Sequence, residues 1–152
     1  MRKVMFDICG DKGEVTDEKM LYDKIIKDFD EFFKDNWVEL SYFEDDEETK
    51  NLRIGAELNS GIYLTHTSIY KKRIFKEKNE TVTFKIEHLA VYDKTKLDTV
   101  VDVWDELYTS TGLILPAELA WKGISEFIRT GNMSLELEWI TTDVIPESGN
   151  WC

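Results

Sequence analysis

Apolar residues at every second position are the feature that most constrains the fold of this chain. Between Arg2 and Ile8 the side chains of Val4, Phe6 and Ile8 share one face, which is the period of a half-buried strand. The turn sequence Asn59-Ser60-Gly61 lies between two such segments and predicts a hairpin. The same alternation predicts strands at residues 37–43, 52–58, 62–70, 81–92 and 135–139.

The segments between these strands are less regular. Gly10 and Gly13 indicate a turn, and residues 71–78 indicate a basic connector. The pattern of residues 99–108 fits a strand or a helix, and both alternatives stay open. Residues 141–152 form an acidic and aromatic tail without a core pattern.

Two segments have helical spacing instead. The first begins at the N-cap candidates Thr16 or Asp17 and runs to about residue 35, with Leu21, Ile25, Phe29 and Phe32 on its apolar face. The second begins at Pro116 and ends at Gly131 or Asn132, because proline suits a first helical turn and glycine a left-handed C-terminus.

These elements predict one domain of the α+β class over residues 1–152. We expect a twisted, mostly antiparallel sheet of about six to eight strands with two amphipathic helices packed on it. A length of 152 residues with 42% apolar content is enough for one sizeable core. Neither a signal peptide nor a membrane-spanning stretch is recognisable, so we expect a cytoplasmic protein.

Motifs for catalysis are scarce. The sequence has no phosphate loop, no Gly-x-Ser-x-Gly and no paired Cys-x-x-Cys, and Cys9 and Cys152 match no metal or redox spacing. Only His66 and His88 are available as histidines, both in predicted strands. We therefore expect a protein without enzymatic activity, cofactor or metal, although an unrecognised enzyme or small-ligand module using these histidines and nearby acids stays an alternative.

Charge points to a protein partner. The chain has 31 acidic and 19 basic residues, for a net charge of -12, which repels nucleic acid and anionic membranes and speeds encounters with basic proteins. Acids and tryptophans cluster in three places. The candidate partner-binding residues are Glu44, Asp45, Asp46, Glu47 and Glu48, then Trp104, Asp105 and Glu106, and finally Asp143, Glu147 and Trp151.

Two stretches resemble the first of the named immunity-protein families of bacterial polymorphic toxin systems. One is Leu-Arg-Ile-Gly-Ala-Glu at residues 52–57, followed by Asn-Ser-Gly-Ile-Tyr-Leu at residues 59–64. The other is Leu-Pro-Ala-Glu-Leu-Ala at residues 115–120, followed by Phe-Ile-Arg-Thr-Gly at 127–131 and Leu-Glu-Leu-Glu-Trp at 135–139. The matching segments cover about a third of the chain.

The resemblance implies a protein that binds a secreted toxin domain, such as a nucleic-acid deaminase or nuclease, and covers its basic active-site cleft. An acidic protein is suited to that task because it complements the charges that the toxin uses for its substrate. The first alternative is an acidic adaptor or regulatory domain that binds another basic protein. The sequence leaves the oligomeric state open.

Overall fold

The computed structural model of the protein describes residues 1–75, 79–104 and 107–146. Seven antiparallel strands form the main sheet, in the order β2-β1-β3-β4-β5-β6-β9, and β7 and β8 form a separate hairpin. The strands are β1 (Arg2–Ile8), β2 (Asp11–Glu14), β3 (Val38–Glu44), β4 (Glu47–Glu57), β5 (Gly61–Phe75), β6 (Asn79–Val91), β7 (Val100–Trp104), β8 (Leu107–Ser110) and β9 (Glu138–Thr141).

Two helical segments cover one face of this sheet, which confirms the predicted α+β class. The first comprises α1 (Glu18–Tyr22), a π-helical turn (Asp23–Lys27) and α2 (Phe29–Phe32), and the second is α3 (Ala117–Thr130). In the part of the chain that the structure describes, no helix is long and apolar enough to cross a membrane.

The first helical segment differs from the uninterrupted helix that the sequence predicts. Asp17 is the N-cap, as expected, and its carboxylate accepts a hydrogen bond from the Lys19 N–H at 2.9 Å. The Asp28 N–H bonds to the Asp23 carbonyl at 3.0 Å, five residues back, so the helix widens into a π turn. The last buried side chain of this helical segment belongs to Phe33, the C-cap of α2, whereas Phe29 and Phe32 lie only half-buried beside the core.

The second helix was predicted at both ends. It starts after Pro116, and Gly131 ends it in the left-handed conformation with φ of 73°. The Gly131 carbonyl accepts a hydrogen bond from Nε2 of His66 at 2.9 Å. A Cβ at Gly131 would lie 2.7–2.8 Å from the Tyr42 ring, so this glycine also lets the helix end approach β3.

Three local predictions are wrong, and one open alternative is decided. Asp11–Glu14 forms β2 rather than a plain turn, and β5 continues through Phe75 where a connector was expected, with residues 76–78 of that segment outside the described part. For residues 99–108 the strand alternative is confirmed, since the described residues 100–104 form β7 and residues 107–108 belong to β8. The last strand is shorter than predicted, because β9 begins only at Glu138 and Leu135 is fully exposed.

The main core lies between the helices and the facing side of the sheet. Even-numbered side chains of β3, β4 and β5 point into it, among them Leu40, Leu52 and Leu64, and they meet Ile124 and Phe127 of α3. A second, smaller cluster on the other face consists of Val91, Leu97, Leu113 and Ile140.

A two-stranded arm extends beyond this core. β4 pairs with β5 only as far as Ser68, and β9 pairs with β6 only from His88 onward. The remainder, residues 69–75 and 79–87, is called the arm below. Val82, Phe84 and Ile86 alternate as predicted, but they are 41%, 44% and 40% exposed because none of the described helices covers this part of the sheet face.

Candidate functional site

The acidic run predicted as a docking site forms a tight hairpin. Glu44 ends β3, Glu47 begins β4, and the two residues face each other in the strand register. Asp45 and Asp46 form the turn with φ of 50° and 65°, a conformation that aspartate tolerates better than most residues. We call the five residues Glu44, Asp45, Asp46, Glu47 and Glu48 the acidic turn.

The acids of the acidic turn have partners within the chain. The Met1 ammonium donates to Asp45 at 2.7 Å, and this hydrogen bond lowers the pKa of the Asp45 carboxyl. Glu48 accepts a hydrogen bond from the Asn51 amide at 3.2 Å. The remaining ion pairs are Arg2 with Glu44 and Lys3 with Asp46, both at 3.9 Å, and Lys71 with Glu47.

These contacts reduce the field that a partner meets at the acidic turn. Four cationic groups face five carboxylates, which leaves about one negative charge where the sequence alone indicates five. The pairs are solvent-exposed, and exposed ion pairs contribute about 0–1 kcal/mol each. A basic partner can therefore exchange them at little cost, but long-range attraction toward this turn is weaker than the sequence suggests.

The other candidate residues lie elsewhere. Trp104 belongs to β7 in the second sheet, and Asp143 is exposed in the single-turn 3₁₀ helix Thr142–Val144 after β9, where it accepts a hydrogen bond from Thr141. β5 and β6 separate β4 from β9, a distance of about 14 Å at ordinary strand spacing. Asp105, Glu106, Glu147 and Trp151 lie outside the described residues.

A cleft of about 620 Å³ lies on the sheet face opposite the helices. Its floor carries an ion pair between Arg53 and Glu87 at 3.3 Å. The Tyr63 ring lies across Gly55, where a Cβ would come within 2.1 Å of the ring. The volume is in the range of small-molecule sites. Further lining comes from the β7–β8 hairpin and from the loop after α2, including Val103, Tyr108, Asn36 and Trp37.

His66 and His88 do not line this cleft. They face each other across β5 and β6, and the His66 ring is buried between Phe127 and Trp139 at centroid distances of 5.7 and 6.1 Å. Burial lowers the pKa of His66, so the ring is neutral at pH 7. Among the described residues, no group of three or more His, Cys, Asp or Glu is placed to hold a metal ion.

The chain matches no protein-family model, and neither a curated protein nor a solved structure matches it. Its relation to the immunity-protein family therefore stays a prediction based on the quoted motifs.

Sequence reasoning missed two surfaces. The cleft combines β4, β5 and β6 with the loop after α2 and the β7–β8 hairpin, which are far apart in the chain, and only the Gly55–Tyr63 pairing of the predicted hairpin gave a local signal. The arm was missed because residues 71–78 were interpreted as a connector, and alternation does not tell whether a strand face is covered. A signal was present, since five Lys and Arg at residues 71–78 interrupt the apolar pattern of the neighbouring strand.

Proposed function

We propose that this chain is a cytoplasmic immunity protein that binds a basic, nucleic-acid-modifying toxin domain and covers its active-site cleft. The observation that carries the proposal is the uneven distribution of charge. Residues 69–86 contain six Lys and Arg against two Glu, which leaves 13 basic and 29 acidic residues for the rest of the chain. A body of that composition is attracted to a surface that normally binds a phosphate backbone.

The packing of the two stretches that resemble the immunity family supports the proposal. The Ile62 N–H donates to the Leu115 carbonyl at 2.9 Å, and the Leu115 N–H donates back at 2.7 Å. Buried side chains from both stretches also belong to the main core, among them Leu52, Leu64, Ala120, Phe127 and Leu137. The two resembling stretches thus pack together in one core.

The direct test is co-expression. The proposal requires a secreted toxin whose gene lies beside that of this chain, and the C-terminal domain of that toxin is expressed with and without the chain while cell survival is scored. We expect survival only with the chain, and a stable complex of the two purified proteins. Toxicity that the chain does not relieve, together with no complex, would overturn the proposal. A complex without protection would instead favour the adaptor alternative.

The role of the acidic turn needs variants of opposite charge. Asp45→Asn with Asp46→Asn keeps residues that tolerate positive φ but leaves four cations facing three acids. Arg2→Gln with Lys3→Gln leaves five acids facing two cations. If the toxin docks here, the first variant slows association at low salt and the second accelerates it, and the rates converge at high salt. Equal rates for both variants would remove the acidic turn from the interface.

The cleft favours a second candidate function, a small-ligand module. Its size and its apolar walls around the Arg53–Glu87 pair suit an aromatic ligand with one polar group. Ligand-detected NMR with a set of such fragments tests this, with Val103→Arg as the variant that fills the cleft. Binding that survives Val103→Arg would place the fragments elsewhere and remove the cleft as their site.

A further inference from the structure

The outer edge of β6 is open along the arm. Pairing with β9 ends where His88 faces Thr141, and no strand among the described residues pairs with β6 from Asn79 to Glu87 on that side. The register between β5 and β6 has no irregularity over this length, and the stretch contains no proline. Bulges, prolines, coverage and charged side chains are the usual protections of an edge strand, and of these the described stretch has only charges, namely Glu80, Lys85 and Glu87, so the edge is open to a partner that does not oppose them.

The direction of the free backbone groups follows from the sheet. Ile62 exchanges hydrogen bonds with Leu115 on the β6 side of β5, so even-numbered residues of β5 point their backbone groups toward β6. Through the register Tyr70–Phe84, even-numbered residues of β6 bond back to β5. Odd-numbered residues therefore point their N–H and C=O groups outward, and they include Thr81, Thr83, Lys85 and Glu87.

We infer that β6 pairs antiparallel with β6 of a second copy of this chain, about a two-fold axis at Thr83. The open stretch runs from 79 to 87, and its midpoint is Thr83. Residues i and j of the two copies are then opposite when their numbers add to 166. In this register Thr83 of one copy forms a hydrogen-bonded pair with Thr83 of the other. The paired segment covers the whole open stretch and ends before the part of β6 that pairs with β9. The inference is independent of the proposed function.

The side chains suit this register. Val82 of one copy lies opposite Phe84 of the other in a position without backbone hydrogen bonds, where cross-strand side chains approach most closely. Aromatic and β-branched residues form favourable cross-strand pairs, and the axis makes two of them. Both side chains are more than 40% exposed in the single chain, and Phe84 already stacks on Tyr70 at a centroid distance of 5.4 Å.

Charges do not oppose the pairing. Lys85 lies opposite Thr81 of the second copy, and Glu87, held by Arg53 at 3.3 Å, lies opposite position 79. Like charges therefore never face each other directly. The basic residues Lys71 and Lys72 belong to β5, so the two β5 strands lie outermost in the four-stranded ribbon. About 14 Å separates them, which exceeds the Debye length at physiological salt.

The first experiment measures mass by sedimentation equilibrium over a range of concentrations, at low and physiological salt. We expect twice the 17.8 kDa of one chain. Thr83→Pro removes an outward N–H while the bonds between β5 and β6 stay intact, so it should shift the chain to monomer. Thr83→Val keeps the N–H and is the matched control. Circular dichroism checks that both variants are folded.

The second experiment tests the register without relying on proline. In a background with Cys9 and Cys152 replaced by Ser, Thr83→Cys places two thiols across the axis at a Cα separation of about 5.5 Å, which permits a disulfide. Thr81→Cys is the matched control, because its two copies would lie about 13 Å apart along the strands. Air oxidation should cross-link the first variant only.

A wild-type chain that is monomeric at high micromolar concentration would overturn the inference. Dimers that persist in folded Thr83→Pro, or that cross-link equally at positions 81 and 83, would also overturn it, because the contact would then lie elsewhere. Dimers lost in Thr83→Pro and selective cross-linking at position 83 would support it. The toxin co-expression assay reports separately on the proposed function.

Discussion

Replacing Gly131 by Ala tests how the end of α3 is joined to the sheet. Gly131 has φ of 73°, and a left-handed conformation costs a residue with a Cβ about 1–2 kcal/mol. The added Cβ would also lie 2.7–2.8 Å from three atoms of the Tyr42 ring. Tyr42 is 2% exposed and packs against Phe127, so it has little freedom to move. Overpacking of this kind costs about 1–3 kcal/mol.

The expected loss for Gly131→Ala is therefore about 2–5 kcal/mol in the free energy of unfolding. Gly10→Ala is the matched control, because Gly10 has φ of 97° but no atom within 4 Å of the added Cβ, so it should lose only the strain of about 1–2 kcal/mol. Urea unfolding at equilibrium measures both variants. Equal losses in the two variants would refute the claim that contact with Tyr42 fixes the helix end. Gly131→Asn separates the two costs, because asparagine tolerates the left-handed backbone while its Cβ still meets the Tyr42 ring. If the contact costs nothing, this variant should match wild type.

Two further predictions concern stability. Because burial lowers the pKa of His66, the unfolded chain takes up a proton before the folded chain does, so stability should fall as the pH drops below the ordinary histidine value near 6.5. Urea unfolding between pH 5 and 8 should show that the unfolding free energy of His66→Gln depends less on pH than that of wild type. An unchanged dependence would mean that other groups cause it. Asp17→Ala removes the N-cap bond to Lys19 and should lower the unfolding free energy by about 1 kcal/mol, whereas Asp17→Asn, which keeps an acceptor, should lose less in the same measurement.

Local signals explain which parts of the fold were predictable. The boundaries of α3 follow from Pro116 and Gly131, whose backbone preferences act within a single turn. β1 follows from alternation and was predicted at both ends. β2 has only polar residues and glycine, so nothing in its sequence distinguishes it from a turn, and its strand geometry comes from pairing with β1.

Other features depend on what lies across the fold. Alternation in β6 predicts which side chains share a face but not what covers that face, so the exposure of Val82 and Phe84 does not follow from the sequence pattern. The π turn follows from packing rather than from propensity, because it lets Leu21, Ile25 and Phe33 all reach the core. The candidate cleft combines residues from both halves of the chain and has no continuous signature.

The ion pair between Lys71 and Glu47 connects the arm with the acidic turn. Lys71 is the first cation of the arm, and Glu47 begins the strand after the acidic turn, so the basic and acidic segments of the sequence meet at one end of the sheet. Part of the negative charge that the sequence concentrates at residues 44–48 is thus balanced by the segment that looked like a basic connector. A basic partner drawn to this protein therefore responds to the acidic body as a whole more than to that short run.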